Sequence, residues 1–300
     1  MKVRCCLITV AALACALFLS GCSLRIVTRK LPVPKAPSIE QTVTPEALVE
    51  KLNQRWAALG SLNASVEISA SVLKTKEGTA KDYPTIRGII LMLKPEMLRV
   101  YGRVPVLGTR FFDMVGDGSN FTLWIPSSNT AFKGSEALTK KSSNPLLNLR
   151  PGFFRDALVV RGLEKGDEYM VTADTVTVED ALRKHLYSVP EYKLTIMRRR
   201  AGSPLLTPVR VITFHRDDLL PYAQDLYDAD GNLETQVTYS NYQDSGSTKY
   251  PATVSIQRPM DEFGAVLTVD EVTENPQSPP LTSDSFELKI AEGTKIQHLE

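Results

Sequence analysis

The stretch LNASVEISASV, residues 62–72, alternates apolar and polar side chains at every position. Its apolar residues occupy the even positions and its polar residues the odd ones, which is the two-residue period of a β-strand with one buried face. Nothing in this pattern points to catalysis. We therefore interpret the stretch as the first strand of an antiparallel sheet that buries one of its faces.

The next run, residues 86–94, is apolar at nearly every position, which predicts a strand that is covered on both faces. The turn Lys94-Pro95-Glu96 ends it, and an Asp117-Gly118 hairpin signal comes later in the chain. Around these turns the pattern predicts three more strands, at 97–104, 110–115 and 121–125. Four closely linked strands of this kind predict an antiparallel meander.

The second half of the chain has the same β-rich character. Further strands are predicted at 169–178, 192–199, 209–214, 222–227, 233–239, 252–258, 264–272 and 286–290. Residues 144–163 are instead helical or irregular in pattern, with Phe153, Phe154, Ala157 and Leu158 on one helical face, and they are candidate covering helices. We expect about ten or eleven of these segments to form strands of the sheet.

A helix is predicted just before the first strand. Thr44 is suited to the N-cap, Pro45 to the first helical position and Gly60 to the stop. Its apolar face is formed by Leu48, Leu52, Trp56 and Leu59, with Val49 beside them. This face is expected to lie on the sheet, and we interpret Trp56 as a packing anchor in preference to a ligand contact.

Composition limits the classes of function. The chain has 35 basic and 34 acidic residues and a formal net charge of +1, which argues against nucleic-acid binding. All four cysteines lie at or before Cys22, so the fold cannot depend on a disulfide in the rest of the chain. The length is sufficient for one substantial core, and a single domain over residues 45–300 is expected.

The start of the chain has the layout of a secretory signal peptide, which we assign to residues 1–21. Lys2 and Arg4 precede an apolar run that ends in small residues. The tetrapeptide Leu19-Ser20-Gly21-Cys22 resembles the bacterial lipobox, in which the cysteine is lipidated and becomes the mature N-terminus. The alternative is that Cys22 merely follows a conventional signal peptide, which leaves a lone exported thiol unexplained.

Residues 22–44 are expected to form the lipidated cysteine and a Pro-rich tether, since Pro32, Pro34 and Pro37 stand among few apolar residues. Ser23 follows the cysteine. By resemblance to enterobacterial lipoproteins, in which Asp at that position favours retention in the inner membrane, Ser23 favours the outer membrane. The expected location is therefore the outer membrane, lipid-anchored and facing the periplasm.

The order of these parts resembles the LolA/LolB family of periplasmic lipoprotein-carrier and acceptor proteins. The similar segments are Leu59-Gly60-Ser61-Leu62, Leu93-Lys94-Pro95-Glu96-Met97-Leu98-Arg99-Val100, Val104-Pro105-Val106-Leu107-Gly108 and Asp117-Gly118-Ser119-Asn120-Phe121-Thr122-Leu123-Trp124-Ile125-Pro126. The resemblance covers about residues 45–295 and implies an α+β, mainly β fold. In that fold an unclosed, curved antiparallel half-barrel has helices covering its open side, and its hydrophobic cavity takes acyl chains.

Strand parity gives candidate residues for the lining of such a cavity. They are Val66, Ile68, Ile90, Met92, Leu98, Val100, Phe112, Met114, Phe121 and Leu123. The alternative for each is an ordinary core position. A curved sheet leaves its concave face incompletely filled by side chains, which makes a pocket physically reasonable.

The segment Val104-Pro105-Val106-Leu107-Gly108 joins two predicted strands but is apolar, whereas connecting loops are usually polar. By resemblance to the acceptor proteins, Leu107 matches an exposed leucine that touches the membrane, and we expect Pro105, Val106 and Leu107 to form a membrane-contact loop. The alternative is that the loop folds back and caps one end of the sheet.

Signals for an enzyme or a metal site are weak. His185, His215 and His298 are widely separated and lack zinc-ligand spacing, and no catalytic motif occurs. The tract Asp228-Ala229-Asp230-Gly231 looks like a calcium-loop fragment, but its outer ligand positions fall on Leu226 and Val237, so we predict a turn. We interpret Arg198, Arg199 and Arg200 as a solvated strand end. No catalytic residue, metal or cofactor is predicted.

The sequence thus favours a lipid-anchored outer-membrane protein that binds acyl chains of lipoproteins or phospholipids, in lipoprotein localisation or envelope lipid handling. The expected partners are these lipids, the outer membrane through Cys22 and, as a further candidate, a periplasmic carrier protein; the chain is expected to be a monomer. The alternative from another class is an envelope-stress sensor or assembly subunit of the same fold that binds a protein partner.

Overall fold

The computed structural model describes residues 41–74, 78–104, 107–137, 150–179, 186–200, 202–245 and 248–299. The chain divides into two compact units, and the larger comprises residues 36–176 and 189–300. The smaller comprises residues 1–35 and 177–188, and its described residues are extended strand. The predicted signal peptide, Cys22, residues 22–40 of the tether, Pro105, Val106, His185 and the first part of the predicted covering helices (144–149) lie outside the described residues.

The described residues contain two α-helices and fifteen strands, so the fold is mainly β. The helices are α1 (Pro45–Ala58) and α2 (Pro151–Leu158). The strands are β1 (Ser61–Lys74), β2 (Thr79–Asp82), β3 (Ile86–Leu93), β4 (Met97–Arg103), β5 (Arg110–Gly116), β6 (Asn120–Ile125), β7 (Thr130–Ser135), β8 (Asp167–Glu179), β9 (Leu186–Arg199), β10 (Leu206–His215), β11 (Pro221–Tyr227), β12 (Leu233–Ser245), β13 (Thr248–Arg258), β14 (Phe263–Glu274) and β15 (Lys295–Leu299).

All these strands belong to one sheet, in the order β15-β7-β6-β5-β4-β3-β1-β14-β13-β12-β11-β10-β9-β8, with β2 paired to β1. The end strands β15 and β8 do not pair with each other, so the sheet is not closed. The predicted meander is confirmed, since β3, β4, β5 and β6 are successive antiparallel neighbours. The strand of residues 62–72 lies near the middle of the sheet, between β3 and β14.

The predicted number of strands was too low. β2, β7 and β15 were not predicted, because β2 is exposed along its length, β7 contains a glycine, and β15 is exposed at nearly every position without an alternating pattern. The strand predicted at 286–290 was wrong. A 3-10 turn, Ser283–Phe286, occupies its beginning, and residues 287–290 are irregular.

β1 buries the face that was predicted to be buried. Leu62, Ala64 and Val66 are fully buried, and Ile68 is nearly so. β3 departs from its prediction, because Ile86, Ile90 and Met92 are buried while residues 89, 91 and 93 are only half-buried. Part of the cover on this second face comes from the 3-10 turn, since the Arg99 guanidinium donates a 2.9 Å hydrogen bond to the carbonyl of Ser285.

Both helices bury apolar side chains against strands. In α1, Thr44 is the N-cap as predicted and its hydroxyl accepts a 3.2 Å hydrogen bond from the amide of Ala47; the helix ends at Ala58, Leu59 is its C-cap and Gly60 follows directly. The buried α1 side chains, Leu48, Val49 and Leu52, pack with residues of β9 and β10. The buried side chains of α2 pack with β1, β3, β4, β13 and β14 in the main core.

Among the described residues, neither helix combines the length and the apolar character needed to cross a bilayer.

Candidate functional site

A cavity of about 210 Å³, called here the apolar cavity, lies between α2 and the face of the sheet that β1 buries. Its walls are almost entirely carbon. The lining residues are Ile68, Ala70, Tyr83, Pro84, Ile86, Phe111, Phe112, Met114, Leu123, Ile125, Phe154, Phe263 and Ala265. Such a wall offers almost no polar group to bind a charged or hydrogen-bonding ligand, so the chemistry of this space favours a hydrocarbon.

Small side chains create this space. Ala70 of β1 lies directly opposite Ala265 of β14, so two neighbouring strands present only methyl groups at this point. Gly102 of β4 has a different role, because two of the lining side chains lie over it. A Cβ atom there would lie 2.6 Å from Cδ1 of Ile86 and 3.0 Å from Cε1 of Phe112, so only glycine lets these two side chains lie across the strand.

Four of the ten predicted lining residues, Ile68, Phe112, Met114 and Leu123, line the apolar cavity. Five others, Val66, Ile90, Met92, Leu98 and Val100, are buried members of the main core. The tenth, Phe121, is buried with the Arg150 guanidinium 4.6 Å from its ring centre. Sequence reasoning missed the contributions of β14 and of residues 83–86, because these depend on which strands pair across the sheet.

The apolar cavity reaches the surface beside the turn between β4 and β5. Phe111 lines it and is 44% exposed, and Pro84 is exposed as well. In the same turn Leu107 is 74% exposed, and Gly108 has a φ of 64°, a conformation that glycine adopts freely. Leu107 therefore projects into solvent a few residues before Phe111, the residue at the exposed edge of the cavity.

A second cavity, of about 330 Å³, lies between α1 and strands β10 to β13, and we call it the tyrosine cavity. Tyr239, Tyr242 and Tyr250 line it together with Leu48, Leu52 and Trp56 of α1. Each of the three phenol groups donates a hydrogen bond to a backbone carbonyl. Burial raises the pKa of each phenol above its usual value, so these side chains stay neutral at physiological pH.

The position of α2 is fixed by hydrogen bonds to its last three carbonyls, which a helix cannot satisfy itself. The Gln224 amide donates to Asp156 O at 2.8 Å, Tyr239 to Ala157 O at 3.0 Å and Tyr250 to Leu158 O at 2.9 Å. The donors come from β11, β12 and β13 respectively. The helix that walls the apolar cavity is thus fastened to three adjacent strands.

The other predicted features take ordinary structural roles. In the tract 228–231 the Asp228 carboxylate accepts hydrogen bonds from the amides of Asp230 and Asn232, which closes the predicted turn. The ring of His215 stacks on Tyr222 at 3.5 Å, and burial lowers the pKa of this imidazole. Arg198, Arg199 and Arg200 are exposed and each pairs with a carboxylate.

Within the described ranges, no group of three or more His, Cys, Asp or Glu side chains is arranged to hold a metal ion.

No family model and no curated protein matches the sequence. Among solved structures, a DUF1329 family protein from Desulfovibrio piger is similar, with a TM-score of 0.52 and 12% identity over 80% of this chain and 95% of that one. Similar structures also include a LolA superfamily protein from Nitrosomonas europaea (TM-score 0.49, 14% identity, 82% and 99% of the chains). A third is a domain assigned to outer membrane lipoprotein sorting from Vibrio parahaemolyticus. Its TM-score is 0.49 and its identity 13%, over 80% of this chain and 95% of that one. The similarity to the Desulfovibrio protein shows a shared fold.

Proposed function

We propose that this protein is a lipid-anchored outer-membrane protein that holds acyl chains of lipoproteins or phospholipids in the apolar cavity, without making or breaking a bond. The observation that carries the proposal is the carbon-lined wall of that cavity together with its exposed edge at Phe111. An acyl chain gains about 0.8 kcal/mol for each methylene that leaves water. A membrane offers a similar gain, so the chain can be exchanged between cavity and membrane.

The membrane-contact part of the proposal is supported by the exposure of Leu107. Two more exposed apolar side chains, Leu205 and Met260, lie in the turns before β10 and before β14. The strand registers bring all three turns to the same end of the sheet. Apolar side chains gathered at one end of the strands suit contact with a membrane surface. Pro105 and Val106 complete the proposed loop.

The anchor and the location rest on the sequence. Cys22 as the lipidated residue and Ser23 behind it support attachment to the outer membrane on its periplasmic side. A lipid-binding role in lipoprotein localisation or envelope lipid handling also makes a periplasmic carrier protein a proposed partner, and we propose that the chain acts as a monomer.

Filling the apolar cavity tests the proposal. Ala265→Leu adds three carbon atoms beside Ala70, and binding of a fluorescent fatty acid to the purified protein should weaken at least about tenfold. Val266→Leu is the matched control, because Val266 is exposed on the opposite face of β14, and it should bind like the unchanged protein. Equal binding by both variants would contradict the proposal.

Mass spectrometry of lipids that co-purify with the unchanged protein separates the two candidate functions. Bound acyl lipid is expected. A protein that emerges without lipid but with a stoichiometric protein partner would instead favour the envelope-stress sensor or assembly subunit.

A further inference from the structure

A third cavity, of about 430 Å³, lies on the other side of Phe153 from the apolar cavity, and we call it the arginine cavity. Five guanidinium groups line it: those of Arg150, Arg155, Arg161, Arg210 and Arg258. All except Arg161 are more than nine-tenths buried. Burial of so many cations around one space is unfavourable unless anions compensate for it, so the nature of those anions decides what the cavity can bind.

The protein supplies part of that compensation. The carboxylates on the cavity wall are three, those of Glu136, Asp156 and Glu234. Behind the wall, Arg258 pairs with Asp261 at 2.7 Å, Arg155 with Glu96 at 2.7 Å and Arg161 with Glu164 at 3.7 Å. These six carboxylates lie beside Arg155, Arg161 and Arg258, so the compensation is uneven around the cavity.

Among these arginines, Arg210 receives little charge compensation from the carboxylates. Its two terminal nitrogens donate hydrogen bonds of 2.7 Å to the carbonyls of Arg161 and Gly162. It is 3% exposed, and among the described residues no carboxylate lies within ion-pair distance of it. Desolvation and the neighbouring Arg161 lower the pKa of Arg210. Asp156, Glu164 and Asp167 oppose this effect in part from a distance, and a bound anion would add a negative charge closer to the guanidinium.

The hydrogen-bonding capacity of the wall is also incompletely used. Nε of Arg155 and Oδ1 of Asp156 are buried and have no hydrogen-bond partner. They lie 3.6 Å apart, which is too long for a hydrogen bond between them. A buried donor without an acceptor costs free energy, so an acceptor oxygen beside Nε of Arg155 would be stabilised, whereas Oδ1 of Asp156 calls for a donor such as the O–H of a protonated phosphate.

A single layer of aromatic rings divides the arginine cavity from the apolar cavity. Phe153 lines the first, while Phe154 and Phe263 line the second. The ring centres of Phe153 lie 4.9 Å from those of Phe154 and 6.0 Å from those of Phe263. A cationic space and a hydrocarbon space therefore stand side by side, which is the pair of environments that an anionic amphiphile requires.

We propose that the arginine cavity is a binding site for a phosphate group, carried either by inorganic phosphate or by an anionic lipid. Several guanidinium forks converging on one space match the oxygens of a phosphate, which can accept from all of them. Binding of inorganic phosphate is independent of the acyl-chain function, whereas binding of a lipid phosphate rests on it.

Calorimetry on the purified full chain, with inorganic phosphate and with dihexanoyl phosphatidic acid, tests the site. Dihexanoylglycerol, which has the same chains and no phosphate, is the neutral comparison. We expect at least one of the two phosphate compounds to bind, and binding of the phosphatidic acid but of neither inorganic phosphate nor dihexanoylglycerol identifies a headgroup site. Failure of both to bind the unchanged protein would overturn the proposal.

Arg210→Gln should weaken phosphate binding at least about tenfold, since it removes the buried charge. The matched control is Arg200→Gln, because Arg200 is exposed and pairs with Asp230. Arg161→Gln, at a half-exposed position of the same wall, provides a second variant should the first not fold. Phosphate affinity unchanged in folded variants of the wall would refute the site. Retained binding of a fluorescent fatty acid by these variants would show that the apolar cavity is intact, which separates the two proposals.

Discussion

The hydroxyl of Tyr250, on β13, donates a 2.9 Å hydrogen bond to the carbonyl of Leu158, the last residue of α2. Both groups are buried, so neither can form a hydrogen bond with water when this bond is lost. This contact fixes the end of the helix between the apolar cavity and the tyrosine cavity. Tyr250 therefore acts together with Gln224 and Tyr239 in holding the helix that lies beside both cavities.

Tyr250→Phe should destabilise the protein by about 1–3 kcal/mol, because a buried carbonyl loses its partner while the ring is kept. Urea denaturation measures the change. Tyr169→Phe is the control, since Tyr169 lies partly exposed on β8, and it should alter the free energy of unfolding by less than about 0.5 kcal/mol. A Tyr250 variant as stable as the control would show that the bond contributes little.

Stability should fall steeply as the pH rises above about 10, the usual pKa of tyrosine. Burial raises the pKa of Tyr239, Tyr242 and Tyr250 in the folded state, so the unfolded chain loses these protons first and ionisation favours unfolding. The stabilising contribution is complete below that pH and is lost as the pH rises towards the folded-state values. Denaturation curves at successive pH values should show a smaller decline for Tyr242→Phe than for the unchanged protein.

Leu107→Glu should leave the melting temperature nearly unchanged, because the side chain is exposed and loses no buried contact. Association with liposomes should drop, since a carboxylate replaces an apolar group at the membrane surface. Thr109→Glu is a suitable control: it adds the same charge at an exposed position of the same turn without removing an apolar side chain. A sharp fall in melting temperature would mean that Leu107 caps the sheet.

Cys22→Ser should prevent lipid attachment and release the protein from the outer-membrane fraction, because the thiol is the group to which the lipid is joined in a lipobox. Cell fractionation with mass spectrometry of the mature N-terminus is the measurement. Changing Cys15 to Ser, within the predicted signal peptide, should leave anchoring intact. Normal maturation of the Cys22 variant and its recovery with the outer membrane would refute the lipobox interpretation.

The sequence predicted the features that depend on local pattern. The strict alternation of residues 62–72 identified both the strand and its buried face, and the turn signals identified the meander. β5 could not be read in the same way, because Asp113 and Met114 are both buried although they are neighbours. Asp113 is held there by Arg99 and Arg110, and a register shift beside Arg103 breaks the alternation. Hydrophobic periodicity in the sequence does not predict such a buried ion cluster.

The apolar cavity was predicted only in part for a related reason. Its Ala70 and Ala265 become neighbours through the pairing of β1 with β14, and sequence alone does not state which distant strands pair. The arginine cavity could not be predicted from the sequence for the same reason. Its arginines are spread from Arg150 to Arg258, and each is an unremarkable charge in its own segment. Topology, rather than composition, creates both spaces.

The pairing of β1 with β14 also has a consequence for how the protein folds. Ile68 opposes Leu267, so the central ladder of the sheet joins residues about 200 positions apart. Contacts of such long range form slowly, since a large loop must close before they give any stabilisation. Ala70 and Ala265 face each other only after this closure. A partly folded chain that lacks β14 therefore has no complete apolar cavity, and the proposed capture of an acyl chain requires that β14 has paired with β1.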